Sequence, residues 1–371
     1  MRRQNPAGAA LHGHPPRLRR SRGRVYSRRT MPTAMQFGLM MRAQFPAGDD
    51  MQARFRELAE QARLADQLGY ASITNGMHYS SAPWQDLQQM PFLCRIMAEA
   101  PHVRINFGLV LLSLHKPLDV AEQIATADVL SGGKVIFGAA LGYRDVEFLA
   151  FGTTQKERVK RFEENLEAVK RLWTEDTVDM VGSHFTLAGA AASIKPVQKP
   201  HPPIWIGANA DPAIRRAARL GDCWYVNPHN RIDTIVRQVD LYRKALDEDG
   251  KPFPAEFPAR REVFVAKSRS EAIRLCGPFL AAKYRAYDQW GQGRAMPEGD
   301  NDLGVGFGEL IRDRFLIGSP DEVAEQMLTL NRATGINHLV MSVQWPGMAQ
   351  SVVLDELHML AEEVFPRVRQ G

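Results

Sequence analysis

Apolar positions follow two alternating patterns along the chain, short continuous runs and longer stretches with a spacing of three and four residues. A continuous run is typical of a strand buried on both faces, and the longer spacing is typical of an amphipathic helix. The runs predict strands at 36–41, 71–74, 103–112, 134–139, 204–207, 223–226, 262–266 and 338–343. The spaced stretches predict helices at 51–68, 92–100, 117–130, 157–173, 212–220, 232–249, 270–289 and 320–334, and a closing helix that ends near Val364.

Eight strands that alternate with helices imply right-handed crossovers and a parallel sheet. Eight such units suit closure, so the predicted fold class is α/β, a (β/α)8 TIM barrel, with a doubly wound open sheet as the alternative. Two stretches interrupt the alternation and are predicted to be insertions after strands four and seven. The first, 176–203, is rich in Gly and Pro and includes a predicted hairpin around Gly182; the second, 291–308, is polar and Gly-rich and is predicted to be a mobile lid.

The charge of the chain is unevenly distributed. Residues 1–30 hold nine Arg, no Lys and no acid, and taking this +9 from the total of +5 leaves −4 for residues 31–371. Residues 1–34 are therefore predicted to be a disordered basic tail, or the artefact of an early start codon with Met31 or Met35 as the true beginning. Residues 35–371 form the predicted barrel domain, and its mildly acidic balance argues against a nucleic-acid partner.

Composition also limits the cellular setting. The sequence contains no run of 18 apolar residues, so no membrane-spanning helix is predicted. Cys94, Cys223 and Cys276 are odd in number and far apart, which argues against a disulfide scaffold and against a zinc site built from cysteines. These features favour a reducing, cytoplasmic location.

In a barrel of this kind the active groups follow the carboxyl ends of the strands. The segments at those positions are 75–78, 113–115, 140–144, 207–211 and 227–229, and they hold few carboxylates. Asp145, Glu147 and Asp211 lie near predicted helix N-termini, where an acid commonly stabilises the helix. The sequence has no His-x-His or His-Glu-x-x-His spacing, so no metal site is predicted and hydrolysis is disfavoured.

The turn after strand five has the character of an anion site. Small residues follow Gly207, and Pro212 suits the first turn of a helix whose backbone N–H groups would face a phosphate. Tyr143 and Arg144, on the neighbouring rim, would add a hydroxyl and a guanidinium to the same anion. An ordinary strand-to-helix turn with a surface arginine is the alternative.

Several motifs, in a consistent order, carry a resemblance to a known family. They include KPLDVAEQ at 116–123, LSGGKVIFG at 130–138, GYR at 142–144, HPPIWIG at 201–207 and GSPDEV at 318–323. Together they resemble the bacterial-luciferase-like flavin-dependent oxidoreductases over about residues 35–366. The resemblance implies a (β/α)8 barrel that binds reduced FMN at its carboxyl-terminal mouth, with deazaflavin F420 as the alternative cofactor.

The resemblance also implies which residues hold the flavin. A bulged third strand at about 109–113, often with a non-prolyl cis peptide, would back the ring through Leu109, Val110 and Leu111. The ribityl phosphate would be held by Gly142, Tyr143 and Arg144 and by the turn Gly207, Ala208, Asn209, Ala210 and Asp211.

Two histidines are candidate catalytic residues. Many members of the family carry a Glu-His-His triplet after strand two, of which this chain keeps only the last residue, His78. His78 and His115 are predicted to donate a hydrogen bond or move a proton during oxygen transfer; His115 bonding to backbone at a helix entrance is the alternative. A dry mouth would be lined by Leu111, Trp84 or Trp205.

The implied reaction is oxidation of a small organic substrate by O2 in a two-component monooxygenase. A separate flavin reductase is implied because the sequence lacks an NAD-binding fingerprint. Hydride transfer with F420 and a non-catalytic flavin-binding barrel are the alternatives. A homodimer is a family expectation, and no residue identifies the substrate.

Overall fold

The structure is a computed structural model that describes residues 34–371. The predicted tail, 1–34, lies outside the described residues except for Ala34. Eight parallel strands form the centre: β1 Gln36–Met40, β2 Ser72–Asn75, β3 Arg104–Leu111, β4 Val135–Ala140, β5 Ile204–Ala208, β6 Cys223–Val226, β7 Pro258–Val265 and β8 His338–Ser342.

Each barrel strand pairs with the strands before and after it in sequence. The ring is closed, because β1 pairs with β8 and β6 also pairs with β7, through Val226 and Ala259. A closed parallel ring with helices between its strands is a TIM barrel, and the predicted fold is confirmed. The open-sheet alternative is wrong, since an open sheet would leave two edges.

Helices connect the strands. They are α1 Met51–Gln67, α2 Gln89–Ile96, α3 Pro117–Leu130, α4 Asp145–Ala150, α5 Arg158–Thr174, α6 Asp211–Leu220, α7 Ile232–Glu248, α8 Arg269–Gln289, α9 Phe307–Leu310, α10 Pro320–Thr334, α11 Gln350–Met359 and α12 Phe365–Gln370. Short 3₁₀ turns lie at Leu112–Leu114 and Gln292–Ala295, and a π-helical turn at Leu360–Val364 joins the last two helices. Local chemistry fixes several ends: α10 begins at a capping box of Ser319 and Glu322 and ends at Gly335 in the left-handed region.

Both predicted insertions are present. After β4 and α5 the chain forms the antiparallel hairpin Val178–Val181 with Thr186–Ala190, around Gly182. After β7 and α8 come a 3₁₀ turn, α9 and a short strand, Leu316–Gly318, which pairs with the outer half of β7. The sequence did not indicate the antiparallel pair Gln44–Pro46 with Trp84–Asp86, which joins the loops after β1 and β2.

The barrel interior is packed with side chains. Met40, Ile136, Trp205, Cys223, Tyr225 and Val340 form one buried cluster, on which Leu109 rests. Trp205 is therefore a core residue and does not line the mouth, because its side chain is 1% exposed inside this cluster. Among residues 34–371, no helix is long and apolar enough to cross a membrane. Cys94, Cys223 and Cys276 form no disulfide.

Candidate active site at the barrel mouth

A cavity of about 320 Å³ opens at the carboxyl ends of the strands. Nine of the predicted site residues line it: His78, Leu109, Leu111, Gly142, Tyr143, Gly207, Ala208, Asn209 and Ala210. Four others, Val110, Arg144, Asp211 and His115, lie outside its lining. Seven of the nine come from the strand-end rule, and Leu109 and Leu111 come from the family resemblance.

The third strand is bulged where the resemblance implies a flavin-backing bulge. The register between β3 and β4 shifts between Phe107 and Val110, and the Gly108–Leu109 peptide is cis. A Cβ at Gly138 on β4 would lie 2.8 Å from both the Gly108 Cα and the Phe107 carbonyl oxygen. Only glycine fits at position 138, so β4 accommodates the bulge and Leu109 is directed across the mouth.

Leu109 in turn requires a glycine on β5. A Cβ at Gly207 would lie 2.2 Å from Leu109 Cδ1, closer than real atoms approach. Because the contacted atom is the end of a flexible side chain, we expect Gly207→Ala to turn Leu109 away at a cost of about 1 kcal/mol of unfolding free energy, the lower end for overpacking. Chemical denaturation measures the stability, and flavin titration measures the accompanying loss of affinity.

Gly306→Ala is the matched control for that substitution. Gly306 has φ of −54°, and a Cβ there meets nothing within 4 Å. The control should keep its flavin affinity, and its stability should change less than that of Gly207→Ala, since the only expected cost is a poorer N-cap on the four-residue α9. Equal stability and affinity in Gly207→Ala and the native chain would contradict the proposed packing of Leu109.

The turn after β5 and the start of α5 form a basic corner of the cavity. Helix α6 begins at Asp211 with Pro212 next, and its N-cap residue, Ala210, supplies no side-chain cap. Arg158, at the start of α5, lines the same cavity. Burial and repulsion from Arg216 lower the pKa of Arg158. A guanidinium and an uncapped helix N-terminus each favour a phosphate, and both are present on the lining of this cavity.

Asp211 can serve this corner through its backbone alone. Its carboxylate accepts hydrogen bonds from Arg237 Nη1 and Nη2 at 2.7 and 3.0 Å. Hydrogen bonding to Arg237 lowers the pKa of Asp211. The negative side chain is thus paired away from the cavity.

Arg144 is engaged elsewhere. Its Nη1 donates to the Tyr79 carbonyl at 2.7 Å, and its Nη2 donates to the Ser80 carbonyl at 3.0 Å. Its guanidinium also lies 4.3 Å from the ring centroid of Trp290. These contacts fix the loop after β2, and Arg158 rather than Arg144 presents a guanidinium to the cavity.

His78 lines the cavity and is held by a buried carboxylate. His78 Nδ1 lies 3.0 Å from Glu147 Oε1, which also accepts the backbone N–H of Tyr79 at 3.0 Å. Glu147 is 1% exposed. The rings of Tyr143 and Trp290 contact His78 edge-on, with centroids 5.8 and 5.3 Å away. A carboxylate can only accept a hydrogen bond, so Nδ1 carries the proton and Nε2 remains for the cavity.

His115 lies in a different place. It lines a second cavity, of about 270 Å³, with Tyr79 and Val110. His115 Nε2 lies 3.4 Å from the Tyr79 hydroxyl, and burial lowers the pKa of His115. The geometry therefore favours His78 over His115 as the group that meets a ligand in the central cavity.

The cavity has further polar residues that the sequence did not single out. Arg42 follows β1, Arg260 lies on β7, Tyr287 on α8 and Arg294 in the insertion after β7, and all four line the cavity. His229 also lines the cavity, and it belongs to a strand-end segment, 227–229, that the sequence analysis named. Its Nδ1 lies 3.1 Å from the Tyr284 hydroxyl. Burial, with repulsion from Lys283 and Arg260, holds the pKa of His229 well below its usual range.

From the sequence, Arg42 and Arg260 were not predicted as site residues, for different reasons. Arg42 comes directly after the predicted first strand, so applying the strand-end rule there would have found it. Arg260 precedes the predicted seventh strand, 262–266, yet the strand begins at Pro258 in the structure.

The residues of the cavity fit a phosphorylated flavin. Buried hydroxyls of Tyr143 and Tyr225 line it without a hydrogen-bond partner in the described part of the chain. Burial raises the pKa of the Tyr143 hydroxyl well above its usual range, so it remains a donor. Leu109 on its bulge offers an apolar platform, and Arg158 offers a cation at one end. Within residues 34–371, no group of His, Cys, Asp and Glu side chains is arranged to hold a metal ion.

A closed parallel barrel whose mouth joins a bulged strand to a basic phosphate corner is typical of enzymes that bind a phosphorylated cofactor. Residues 35–338 match the model of the luciferase-like monooxygenases, and the chain belongs to this family.

Three comparisons illustrate the range of its relatives. The chain is 28% identical to an FMNH(2)-dependent dimethylsulfone monooxygenase from Pseudomonas putida, over 83% of this chain and 86% of that protein. It is 25% identical to an F420-dependent glucose-6-phosphate dehydrogenase from Amycolatopsis mediterranei, over 85% of this chain and 95% of that protein. The crystal structure of monooxygenase RslO1 from Streptomyces bottropensis superposes with a TM-score of 0.79 at 25% identity, covering 90% of this chain and 99% of that one.

Proposed function

We propose that this protein is the oxygenase of a two-component system, which uses reduced FMN and O2 to oxidise a small organic substrate. The observation that carries the proposal is the cavity itself, where the Leu109 bulge, the Arg158 corner and His78 meet. Family membership and the similarity to an FMNH(2)-dependent monooxygenase support it.

Reduced FMN supplies the two electrons of the reaction, so that one oxygen atom of O2 enters the substrate and the other leaves as water. Arg158 and the backbone of the turn 207–211 hold the phosphate. Leu109 supports the ring, and Leu111 contributes to an apolar wall that keeps water out. The Tyr143 hydroxyl donates to a ligand oxygen.

His78 has the geometry of the proton-transfer group. Glu147 holds Nδ1, and Nε2 gives or takes a proton at the reacting oxygen. The insertion 291–308 contributes Gln292, Arg294 and Met296 to the lining, which suits its predicted role as a lid that closes over the site. A separate flavin reductase, a homodimer and a cytoplasmic location complete the proposal.

Titration of the protein with the two cofactors tests the proposal. We expect reduced FMN to bind more tightly than reduced F420, followed by oxygen consumption and transfer of one labelled oxygen atom from ¹⁸O2 to product. Preference for F420, with no oxygen consumption, would instead support the hydride-transfer alternative. Tight FMN binding without product from any organic compound would favour the non-catalytic barrel, and failure of both cofactors to bind would refute the proposal.

A further inference from the structure

The lining of the central cavity carries a marked excess of positive charge. Four arginines line it: Arg42, Arg158, Arg260 and Arg294. Among the described residues, none of those that line it is Asp or Glu. An arginine keeps its charge even when buried, so each of these cations needs an anion or water as a partner. One phosphate at the Arg158 corner meets only part of that requirement.

Arg42 and Arg260 lie across the mouth from that corner. Arg42 follows β1 and Arg260 lies on β7, and these two strands are the neighbours of β8. The phosphate corner is built at β4 and β5. In a ring of eight strands, β8 stands opposite β4. The two ends of the cavity therefore carry separate positive centres.

The partners of Arg42 leave its cationic head incompletely bonded. Its Nη2 donates to the Gln44 side-chain oxygen at 2.9 Å and to the Tyr287 hydroxyl. Its Nε has no hydrogen-bond partner in the described chain, although the residue is only 5% exposed. A buried guanidinium with an unmet donor is costly unless an acceptor arrives.

Arg260 shows the same deficit. Its Nε donates to Ser342 Oγ at 2.9 Å. Its Nη2 forms an ion pair with Glu262 Oε1 at 3.7 Å, which is beyond hydrogen-bond distance, and has no hydrogen-bond partner among residues 34–371. Its side chain is 13% exposed, so little water reaches it.

Glu262 does not neutralise both arginines. This buried carboxylate accepts a bond from Lys283 Nζ, and Trp345 Nε1 donates to it at 2.7 Å. Burial opposes ionisation, yet Lys283 and Arg260 lower the pKa of Glu262, so its single negative charge is present and shared. Two carboxylates, Glu262 and Asp86, face Lys283, Arg42 and Arg260, and Arg42 Nε and Arg260 Nη2 still have no hydrogen-bond acceptor in the described chain.

We propose that Arg42 and Arg260 bind the substrate through an oxyanion group, and that the substrate is a small organic acid, a carboxylate or a sulfonate. The assignment rests on the proposed function, because it takes the phosphate corner as occupied by FMN. A guanidinium binds the oxygens of such a group through two parallel N–H bonds, and both arginines line the same cavity. Leu111 and Met77, on the same lining, suit the apolar part of the acid.

The test uses the full-length protein loaded with oxidised FMN, whose absorbance reports ligands that enter the cavity. The probes are sodium pentanoate and sodium 1-pentanesulfonate, with pentanamide as the neutral match. We expect at least one acid to bind ten or more times tighter than the amide. The better acid identifies whether the site prefers a carboxylate or a sulfonate.

Variants locate the binding. Arg260→Gln should weaken the acid about tenfold, the size expected for loss of one charged hydrogen bond, with the affinities for pentanamide and FMN unchanged. Arg260→Lys should restore part of the preference for the acid, which separates charge recognition from a folding defect. Arg312→Gln, at an exposed position outside the cavity lining, should behave as the native protein.

Three results would overturn the inference. Equal affinity for acid and amide, or absence of acid binding to the FMN-loaded protein, would show that no oxyanion is recognised. Loss of FMN affinity in Arg260→Gln, with acid binding unchanged, would assign the arginine to the flavin instead. A flavin titration of the native protein without acid tests the proposed function separately. Failure of FMN to bind in that titration would refute the proposed function itself.

Discussion

Replacing His78 with alanine is expected to lower kcat for substrate oxidation by about 10²–10⁴-fold, the range that a positioned acid–base group contributes. The reason is the proposed role of His78 in proton transfer: the pairing of Nδ1 with the buried Glu147 fixes the ring and leaves Nε2 for that role. The affinity for reduced FMN should not change, because the phosphate corner lies on β5 and α5. The measurement is product formed per second at saturating reduced FMN and O2.

Two further variants separate catalysis from positioning. Glu147→Gln keeps the size of the side chain but removes the carboxylate that orients His78, so we expect a smaller loss of kcat than in His78→Ala. His115→Ala should alter kcat little, since His115 lines the second cavity. If His115→Ala loses as much activity as His78→Ala, or if His78→Ala keeps native kcat, the assignment of His78 is wrong.

The second large effect concerns cofactor affinity. Arg158→Ala should raise the dissociation constant of FMN about 10²-fold, because a hydrogen bond to a charged group contributes roughly 1.5–3 kcal/mol. The affinity for riboflavin, which has no phosphate, should change little. Fluorescence titration with both flavins gives the ratio of the two dissociation constants, and that ratio isolates the phosphate contact from any general damage.

Arg144→Ala is the matched arginine variant. In the structure its guanidinium bonds the carbonyls of Tyr79 and Ser80, so the variant should lose stability while keeping the ratio of FMN to riboflavin affinity. A collapse of that ratio in Arg144→Ala, with Arg158→Ala unaffected, would support the role that the sequence predicted for Arg144. The two variants thus decide between the sequence-based and the structure-based phosphate ligand.

The fold could be predicted from the sequence because the pattern that indicates each strand or helix lies within that element. The run at 103–112 became β3, and the spaced stretch at 320–334 became α10 with the same bounds. The predicted onset of β7 was four residues late, because Arg260 and Arg261 look like surface residues. Arg261 is fully buried, with Nη1 bonded to the Asn227 carbonyl, and only its packing in the closed ring shows this.

The site was harder to predict from the sequence, because only its strand ends are local features of the chain. Strand ends can be counted along the chain, so Gly142, Tyr143 and the turn 207–210 were found. Arg158 lies at the start of a long amphipathic helix, where an arginine is normally solvated, and its approach to the cavity depends on how α5 packs on α3 and on the 3₁₀ turn Leu112–Leu114. The spacing of residues along the chain does not predict which way a side chain points. It therefore could not distinguish Arg144 from Arg158, or His115 from His78.

The sequence by itself determined the barrel and the family, because hydrophobic periodicity, helix caps and a series of short motifs are local properties of the chain. Tertiary structure alone decided which polar groups share the central cavity. Closing the ring brings β1 and β7 to either side of β8, and this places Arg42 and Arg260 in one buried, carboxylate-poor lining. The net charge of a cavity lining depends on residues that lie far apart in the chain, so it can be determined only from the folded structure.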